Sequence, residues 1–313
     1  MKNPNRELAP GVYRFTVNNE LSGLRLDQSL AEAGTGFTRT LARRLIDIGG
    51  VHLSARRMRR CSETVAVGDK IEVYVDSLSL DPLPLNHERI IYRDQDLIVL
   101  DKPAGMPTQP TPARYKGTVY SELQKLLGDT QRRGRRPSIG MVQRLDQDTS
   151  GVMVFSIHPR AHKKMTAYFR GHEIDKTYWA LVKGIPDPAE GEFHSQLARR
   201  RSTNLMVSVA KGGKQAETRY HLLKSMNGIS LVEVDLITGR SHQIRAHFSE
   251  AGLPLLGDHA YGGPKHVDDV VIPRQMLHAR ALAFSHPVTA EKMLFTAPLP
   301  EDFSNVLRFL DVA

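Results

Sequence analysis

The chain has 313 residues and a mass of 35.0 kDa, a length that ordinarily holds about two domains and buries a large core. Apolar residues make up 40% and mean hydropathy is −0.35, which excludes a membrane-spanning bundle and a wholly disordered chain alike. Forty-three Lys and Arg against 34 Asp and Glu leave a net charge of +9, a balance suited either to a polyanionic partner or to a solvated basic face. A single cysteine, Cys61, leaves no internal disulfide, CxxC pair or thiolate metal cage. The polar start, residues 1–7, lacks the apolar centre of a secretion signal, so a cytoplasmic protein is expected.

In chain order, an N-terminal arm over 1–19 precedes a short helix over 23–31. A second helix runs over 38–48, with Thr38 as N-cap and Gly49-Gly50 as the stop. At roughly 100° per residue, Leu41, Leu45 and Ile48 form one stripe; Arg39 and Arg43 lie opposite and Arg44 flanks them. Short strands over 51–53 and 71–75 flank a basic turn that carries Arg56, Arg57, Arg59 and Arg60. Between Arg39 and Arg60 seven arginines thus face a single acid, Asp47, a density that suits phosphate because each pairing releases condensed counterions. A further basic run occupies 132–136.

Two prolines, Pro82 and Pro84, then favour an extended connector over 81–88 and forbid a helix there. Beyond it the pattern is a hairpin over 90–100, a buried strand at 152–155 and a helix from Pro159 to about Phe169. Strands follow at 177–182, 217–223 and 231–236, then helices over 241–251 and 303–310. Strands outnumber helices without βαβ alternation, which implies an α+β fold with a large mixed or antiparallel sheet. The sharpest segment, Gln143-Arg144-Leu145-Asp146-Gln147-Asp148-Thr149-Ser150-Gly151, sets a carboxylate on a tight turn before a buried strand. Taken by itself, Asp146 reads equally as a turn cap. His242, His247, His278 and His286 are spaced like no standard zinc site, and no glycine string forms a phosphate loop.

Two resemblances sharpen these readings. Residues 20–76, through Arg25-Leu26-Asp27-Gln28-Ser29-Leu30, the 38–46 helix, Gly50-Val51-His52-Leu53 and Val67-Gly68-Asp69-Lys70-Ile71, resemble the small RNA-binding domain named after ribosomal protein S-four. That implies a domain over 20–80 in which Arg39, Arg43, Arg44, Arg56, Arg57, Arg59 and Arg60 meet structured RNA. Ser54-Ala55 replaces the usual Asn-Gly, so a looser or reshaped turn is expected. Arg144-Leu145-Asp146 with Thr149-Ser150-Gly151 resembles the catalytic motif of the RluA-type pseudouridine synthases. Segments 97–107, 176–184 and 238–247 match the same family in the same order, so the likeness runs from about Arg89 to Leu299.

This second resemblance implies the pseudouridine synthase fold over 89–313, with Asp146 as nucleophile and Arg245 as its partner. It implies that Tyr178 packs on the target base and takes part in removing its carbon-five proton, and that Arg144 helps to hold a flipped nucleotide. Thr149, Arg240 and His242, in the same motifs, are the other substrate-binding candidates. Gln143 stands where many members have histidine, which leaves the nucleophile intact but alters the setting of flanking RNA. Isomerising uridine needs neither redox change nor group donor, so no cofactor and no metal are expected. A carboxylate can attack the anomeric carbon or ring carbon six, and the sequence leaves both open. The expected partner is RNA, foremost ribosomal RNA of the large subunit, bound by a monomer with no obligatory protein partner and no membrane. A noncatalytic RNA-binding or ribosome-assembly protein on the same fold is the alternative. A base-releasing glycosidase is a further one, for which no second, water-activating carboxylate presents itself.

Overall fold

The computed structural model describes residues 9–34, 36–128 and 137–309. It divides into two compact units, one of residues 1–85 with 106–135 and one of residues 86–105 with 136–313. The uninterrupted second domain expected over 89–313 is therefore cut by a segment that packs on the first unit. The basic run at 132–136 lies outside the described residues.

The first unit holds a four-stranded sheet in the order β1-β4-β2-β3, from β1 (Gly11–Thr16), β2 (Val51–Leu53), β3 (Arg56–Arg57) and β4 (Lys70–Val75), all neighbours antiparallel. The stretch expected as a free N-terminal arm thus supplies an edge strand, because Val12 to Thr16 alternates in register with Ile71 and its neighbours. Helices α1 (Leu26–Glu32) and α2 (Arg39–Ile48) cover the sheet and bury Leu26, Leu30, Leu45, Ile46, Val51, Ile71 and Val73 in one core. Thr38 caps α2 by accepting the Leu41 N–H, and Gly49 ends it in the left-handed region at φ 95°. The β2–β3 turn keeps the tight two-residue form: Leu53 pairs with Arg56, while Ser54 and Ala55 take φ of 47° and 66°. The looser turn expected from the missing Asn-Gly does not occur, because the ladders on both sides hold two strained residues in place. The inserted segment carries α3 (Val119–Gly128) and is fastened by buried Arg114, which chelates Asp76 and donates to the Leu78 and Ser79 carbonyls.

The second unit is built on an eleven-stranded sheet. Its strands are β5 (Ile90–Arg93), β6 (Leu97–Lys102), β7 (Gly140–Met141), β8 (Ser150–Ser156), β9 (Asp175–Lys183), β10 (Glu190–Arg199), β11 (Met206–Ser208), β12 (Lys214–Met226) and β13 (Ile229–Leu236). The separate pair β14 (His266–Val267) and β15 (Val270–Val271) precedes β16 (Leu277–Ser285) and β17 (Lys292–Thr296). The order is β11-β10-β12-β13-β9-β16-β8-β6-β5, with β17 on β16 and β7 on β8. Helices α4 (Pro159–Gly171), α5 (Gln243–Glu250) and α6 (Glu301–Phe309) complete the unit. Its sole parallel contact among the described residues is between β8 and β16, through His278 with Ser150 and Ala279 with Gly151. Gly151 is required there: its φ is 117°, and a Cβ would stand 2.2 Å from the Ala279 carbonyl oxygen. No described helix is long and apolar enough to cross a membrane.

Candidate active site and nucleic-acid interface

At this parallel junction the turn before β8 presents Asp146 to a cleft of about 80 Å³, lined also by Arg144, Thr149, Tyr178, Arg240, His242 and Arg245. A loop that must hold a carboxylate needs to be tied down, and three buried side chains do so, two through its backbone and one through a hydroxyl. Lys102 donates to the Gln147 carbonyl at 2.8 Å, Arg274 to the Asp148 carbonyl at 3.0 Å, and Gln275 to the Thr149 hydroxyl at 2.8 Å. The Thr149 N–H closes the turn on the Asp146 carbonyl at 3.1 Å. Lys102 is fully buried, and desolvation draws its ammonium down to about 7.

Arg245, in the first turn of α5 and 8% exposed, donates from Nη1 to Asp146 Oδ2 at 3.0 Å. Its other edge is locked by Asp258, whose carboxylate accepts from Nε at 2.6 Å and from Nη2 at 2.8 Å. Tyr261 covers the guanidinium face at 4.8 Å. Burial alone would make Arg245 more acidic, but its bonds to Asp258 and the charge of Asp146 raise it above the ordinary arginine value, so it is a fixed cation. One guanidinium between two carboxylates leaves this cluster with one net negative charge, and Asp146 is the more exposed of the two anions.

His242, at the left-handed cap of α5, sets Nε2 at 4.0 Å from Asp146 Oδ2 and Nδ1 at 3.0 Å from the Tyr261 hydroxyl, which also accepts the Met206 N–H. Desolvation lowers its basicity, opposed by Asp146, so the neutral imidazole is favoured. Tyr178, on β9, is 7% exposed and forms one wall. Desolvation first and the charge of Asp146 second push its phenol above the ordinary value, so the resting ring is neutral.

The seven cleft residues named from sequence thus come together. Arg144 sits at the exposed rim with its guanidinium on Ser241 Oγ at 3.2 Å, and Arg240 gives Nε to the Gln215 carbonyl at 2.8 Å. Thr149 differs from the rest: it is buried and its hydroxyl already accepts from Gln275, so it holds the loop as well as lining the cleft. Asp258, Tyr261, Arg274 and Gln275 were missed. Asp258 and Tyr261 have one signal, the glycine-rich turn Gly257-Asp258-His259-Ala260-Tyr261-Gly262-Gly263, which carries no periodicity; Arg274 and Gln275 have none.

In the first unit the expected arginine display is partly internal. Asp27, buried on α1, accepts Nε from Arg25, Arg39 and Arg43 at 3.0, 3.0 and 2.7 Å. Burial alone would raise its carboxyl, but these three guanidinium bonds hold it well below the usual range. Three cations on one anion still leave two positive charges at that face. Arg44 pairs with exposed Asp81 at 2.9 Å, Arg57 donates to the Thr111 carbonyl, and Arg59 lies 3.9 Å over the Tyr115 ring. Arg56 and Arg60 are exposed.

The histidines considered for zinc have separate partners. His247 meets the Thr218 and Ser195 hydroxyls, His278 the Ser150 hydroxyl, and His286 the Asp94 carboxylate. Asp94, Asp96 and His286 do converge, but Arg160 occupies both Asp96 oxygens at 2.6 and 2.7 Å, and Asp94 accepts from Tyr92 and two backbone N–H groups. A donor set already engaged in this way does not fit a metal ion.

A family model described as RNA pseudouridylate synthase matches residues 96–250. A curated relative from Aquifex aeolicus, an uncharacterized RNA pseudouridine synthase, is 34% identical over 312 residues, covering 96% of this chain and 97% of that one. A ribosomal large subunit pseudouridine synthase D from Haemophilus influenzae is 34% identical over 309 residues, covering 94% and 93%. Among solved structures, human RNA pseudouridylate synthase domain containing 4 superposes with a TM-score of 0.61 at 26% identity, over 72% of this chain and 93% of that one.

Proposed function

The chain belongs to the RNA pseudouridine synthase family, isomerases that act on RNA, and from that premise we propose that it converts uridine to pseudouridine in large-subunit ribosomal RNA, with Asp146 as nucleophile. The observation that carries this reading is the Asp146 carboxylate, fixed by Arg245 at 3.0 Å on a three-point loop and open to the cleft beside Tyr178. The ribosomal target rests on the naming of relatives such as the one from Haemophilus influenzae. It agrees with a first unit that resembles the S-four RNA-binding domain and carries the arginine-rich face.

The reaction breaks the bond from the anomeric carbon to ring nitrogen one, turns the uracil, and joins the anomeric carbon to ring carbon five. The proton of carbon five leaves and nitrogen one gains one, so product and substrate are isomers and no co-reactant enters. Asp146 forms the transient covalent bond. Arg245, preset by Asp258, offsets the desolvation of that carboxylate when RNA closes the cleft and keeps it in line. Tyr178 offers a neutral ring on which the flipped uracil packs. The proton role implied for it requires the phenol first to give up its own proton, which burial opposes foremost and the charge of the free Asp146 carboxylate second. Arg144, Arg240 and His242 hold the nucleotide from the rim. Unstacking the base costs a few kcal/mol, which basic contacts to the RNA phosphates offset. The reading calls for no obligatory partner besides RNA and for no cofactor; a cytoplasmic setting is part of the proposal.

The test compares pseudouridines in ribosomal RNA from cells with the protein, without it, and with Asp146→Asn. The reading expects specific sites to vanish in the last two, while Asp146→Asn binds RNA with nearly unchanged affinity because phosphate contacts dominate. Unchanged pseudouridine in cells lacking the protein, or free uracil as the product, refutes it.

A further inference from the structure

Beside the cleft lies a second, larger recess of about 340 Å³, sharing the Arg144, Tyr178 and Arg240 walls and extending under α4. Its charge is one-sided. Arg144, Arg170, Lys176 and Arg240 line it, and among the described residues no carboxylate does. Two of its polar groups lack adequate partners. Lys176, 8% exposed, carries three N–H donors but bonds only the Ile237 carbonyl at 3.3 Å, an oxygen already approached by His172 Nδ1 at 2.8 Å. Gln143, which also lines the recess, has its side-chain amide nitrogen buried with no hydrogen-bond partner.

A buried ammonium and a buried amide left short of acceptors cost free energy unless something supplies oxygens. Desolvation accordingly draws Lys176 down to about 8, with Arg240 adding to the effect and Asp175 opposing it. The missing group must be anionic, rich in acceptors and narrow enough to pass Arg170 on the exposed end of α4, and the shared Arg144, Tyr178 and Arg240 walls set it beside whatever fills the cleft.

We propose that this recess seats a backbone phosphodiester of the RNA adjoining the flipped uridine, with Lys176 and Gln143 as its inner donors and Arg170 as its outer cation. The proposal rests on reading the first cleft as the uridine pocket. The recess then acts as a register: the base enters the cleft because the neighbouring phosphate is already held. The unusual glutamine before Arg144 has a place in this scheme, as an uncharged donor where many family members carry histidine.

The experiment is an anisotropy titration of a short single-stranded RNA with one uridine against the full-length protein, over a series of salt concentrations. Lys176→Met and Arg170→Gln are each expected to raise Kd about tenfold and to lower the log–log salt slope by roughly 0.7, the value for one single-strand phosphate contact. Lys292→Gln, on an exposed strand position away from the recess, serves as a control for charge loss alone. Arg170→Gln keeps the test open should Lys176→Met fold poorly, since Arg170 is exposed. Replacing the two linkages flanking the uridine by uncharged methylphosphonates should weaken the wild type to the level of Lys176→Met and leave that variant almost unaffected. Equal binding of both RNAs by the wild type, or equal losses in Lys292→Gln, overturns the proposal. Turnover is not needed for this readout. Failure of pseudouridine formation with these effects intact would sink the isomerase reading alone, and normal turnover without them would sink the recess alone.

Discussion

Asp258 is the most informative single position to perturb, because it lies outside the cleft lining and yet sets the cation that meets the proposed nucleophile. Its carboxylate makes two short bonds to Arg245, at 2.6 and 2.8 Å, and is 2% exposed. Asp258→Asn keeps the shape, retains one acceptor and removes the charge. Stripping one partner from a buried ion pair costs about 3–5 kcal/mol. Arg245 keeps Asp146 as a counter-ion and the Tyr261 ring as cover, which places the expected cost at the low end, about 3 kcal/mol. At roughly 2–4 °C per kcal/mol for a unit of this size, the melting temperature should fall by about 6–12 °C. A guanidinium with a free edge also swings, and at 1.36 kcal/mol per decade a loss of about 3 kcal/mol in the transition state is about a hundredfold in rate. The assay is single-turnover pseudouridine formation at saturating RNA, alongside thermal melting. A rate within about threefold of wild type, or an effect confined to RNA affinity, would refute the account of Arg245 as a preset cation.

Arg39→Ala with Arg43→Ala should destabilise the first unit by about 2–3 kcal/mol, since buried Asp27 loses two of its three guanidinium partners; Arg56→Ala with Arg60→Ala should instead leave its melting unchanged and lower the salt slope of RNA binding. The converse pattern would show that the interface is the α2 face. Ala55→Gly should raise stability by about 1 kcal/mol, as φ of 66° costs alanine and not glycine; a lower melting temperature would mean that the hairpin carries no strain. Burial holds His247 and His278 near about 4 in the fold against about 6.5 unfolded. The unfolded chain therefore binds more protons between those values, and stability should be complete above about pH 6.5 and fall as pH drops toward about 4, by up to about 1.4 kcal/mol per unit and histidine. Melting from pH 7 to 5 checks this, and His247→Asn with His278→Gln should flatten the profile.

What could be read beforehand follows from how local each feature is. The α2 helix announced itself through Thr38, the leucine–isoleucine stripe and Gly49, all within its own span. The Arg144–Gly151 turn did so through composition and resemblance. Strand β16 was invisible despite touching the site: Ala279, Ala281 and Ala283 are helix formers, and only pairing with β9 on one side, and with β8 (Ala279) or β17 (Ala281 and Ala283) on the other, makes them extended. Strand β10 hid for a related reason, with Glu190, Glu192 and His194 facing solvent on an antiparallel pairing with β12. Asp258 and Tyr261 act on a residue more than ten positions away, and no window around them contains that contact. The packing of residues 106–128 on the first unit depends on Arg114 finding Asp76, a meeting of distant residues in the chain.

The join between β8 and β16 has a mechanical consequence. Each flank of the great sheet is laced by long antiparallel ladders, whereas this line is stitched by two rungs, with a glycine at one of them. Side chains make up for the missing rungs: Arg274, Gln275 and His278 reach across the seam to Asp148, Thr149 and Ser150. The loop that carries Asp146 is thereby anchored from the far side of the seam, so any change that loosens this line also costs the carboxylate its aim.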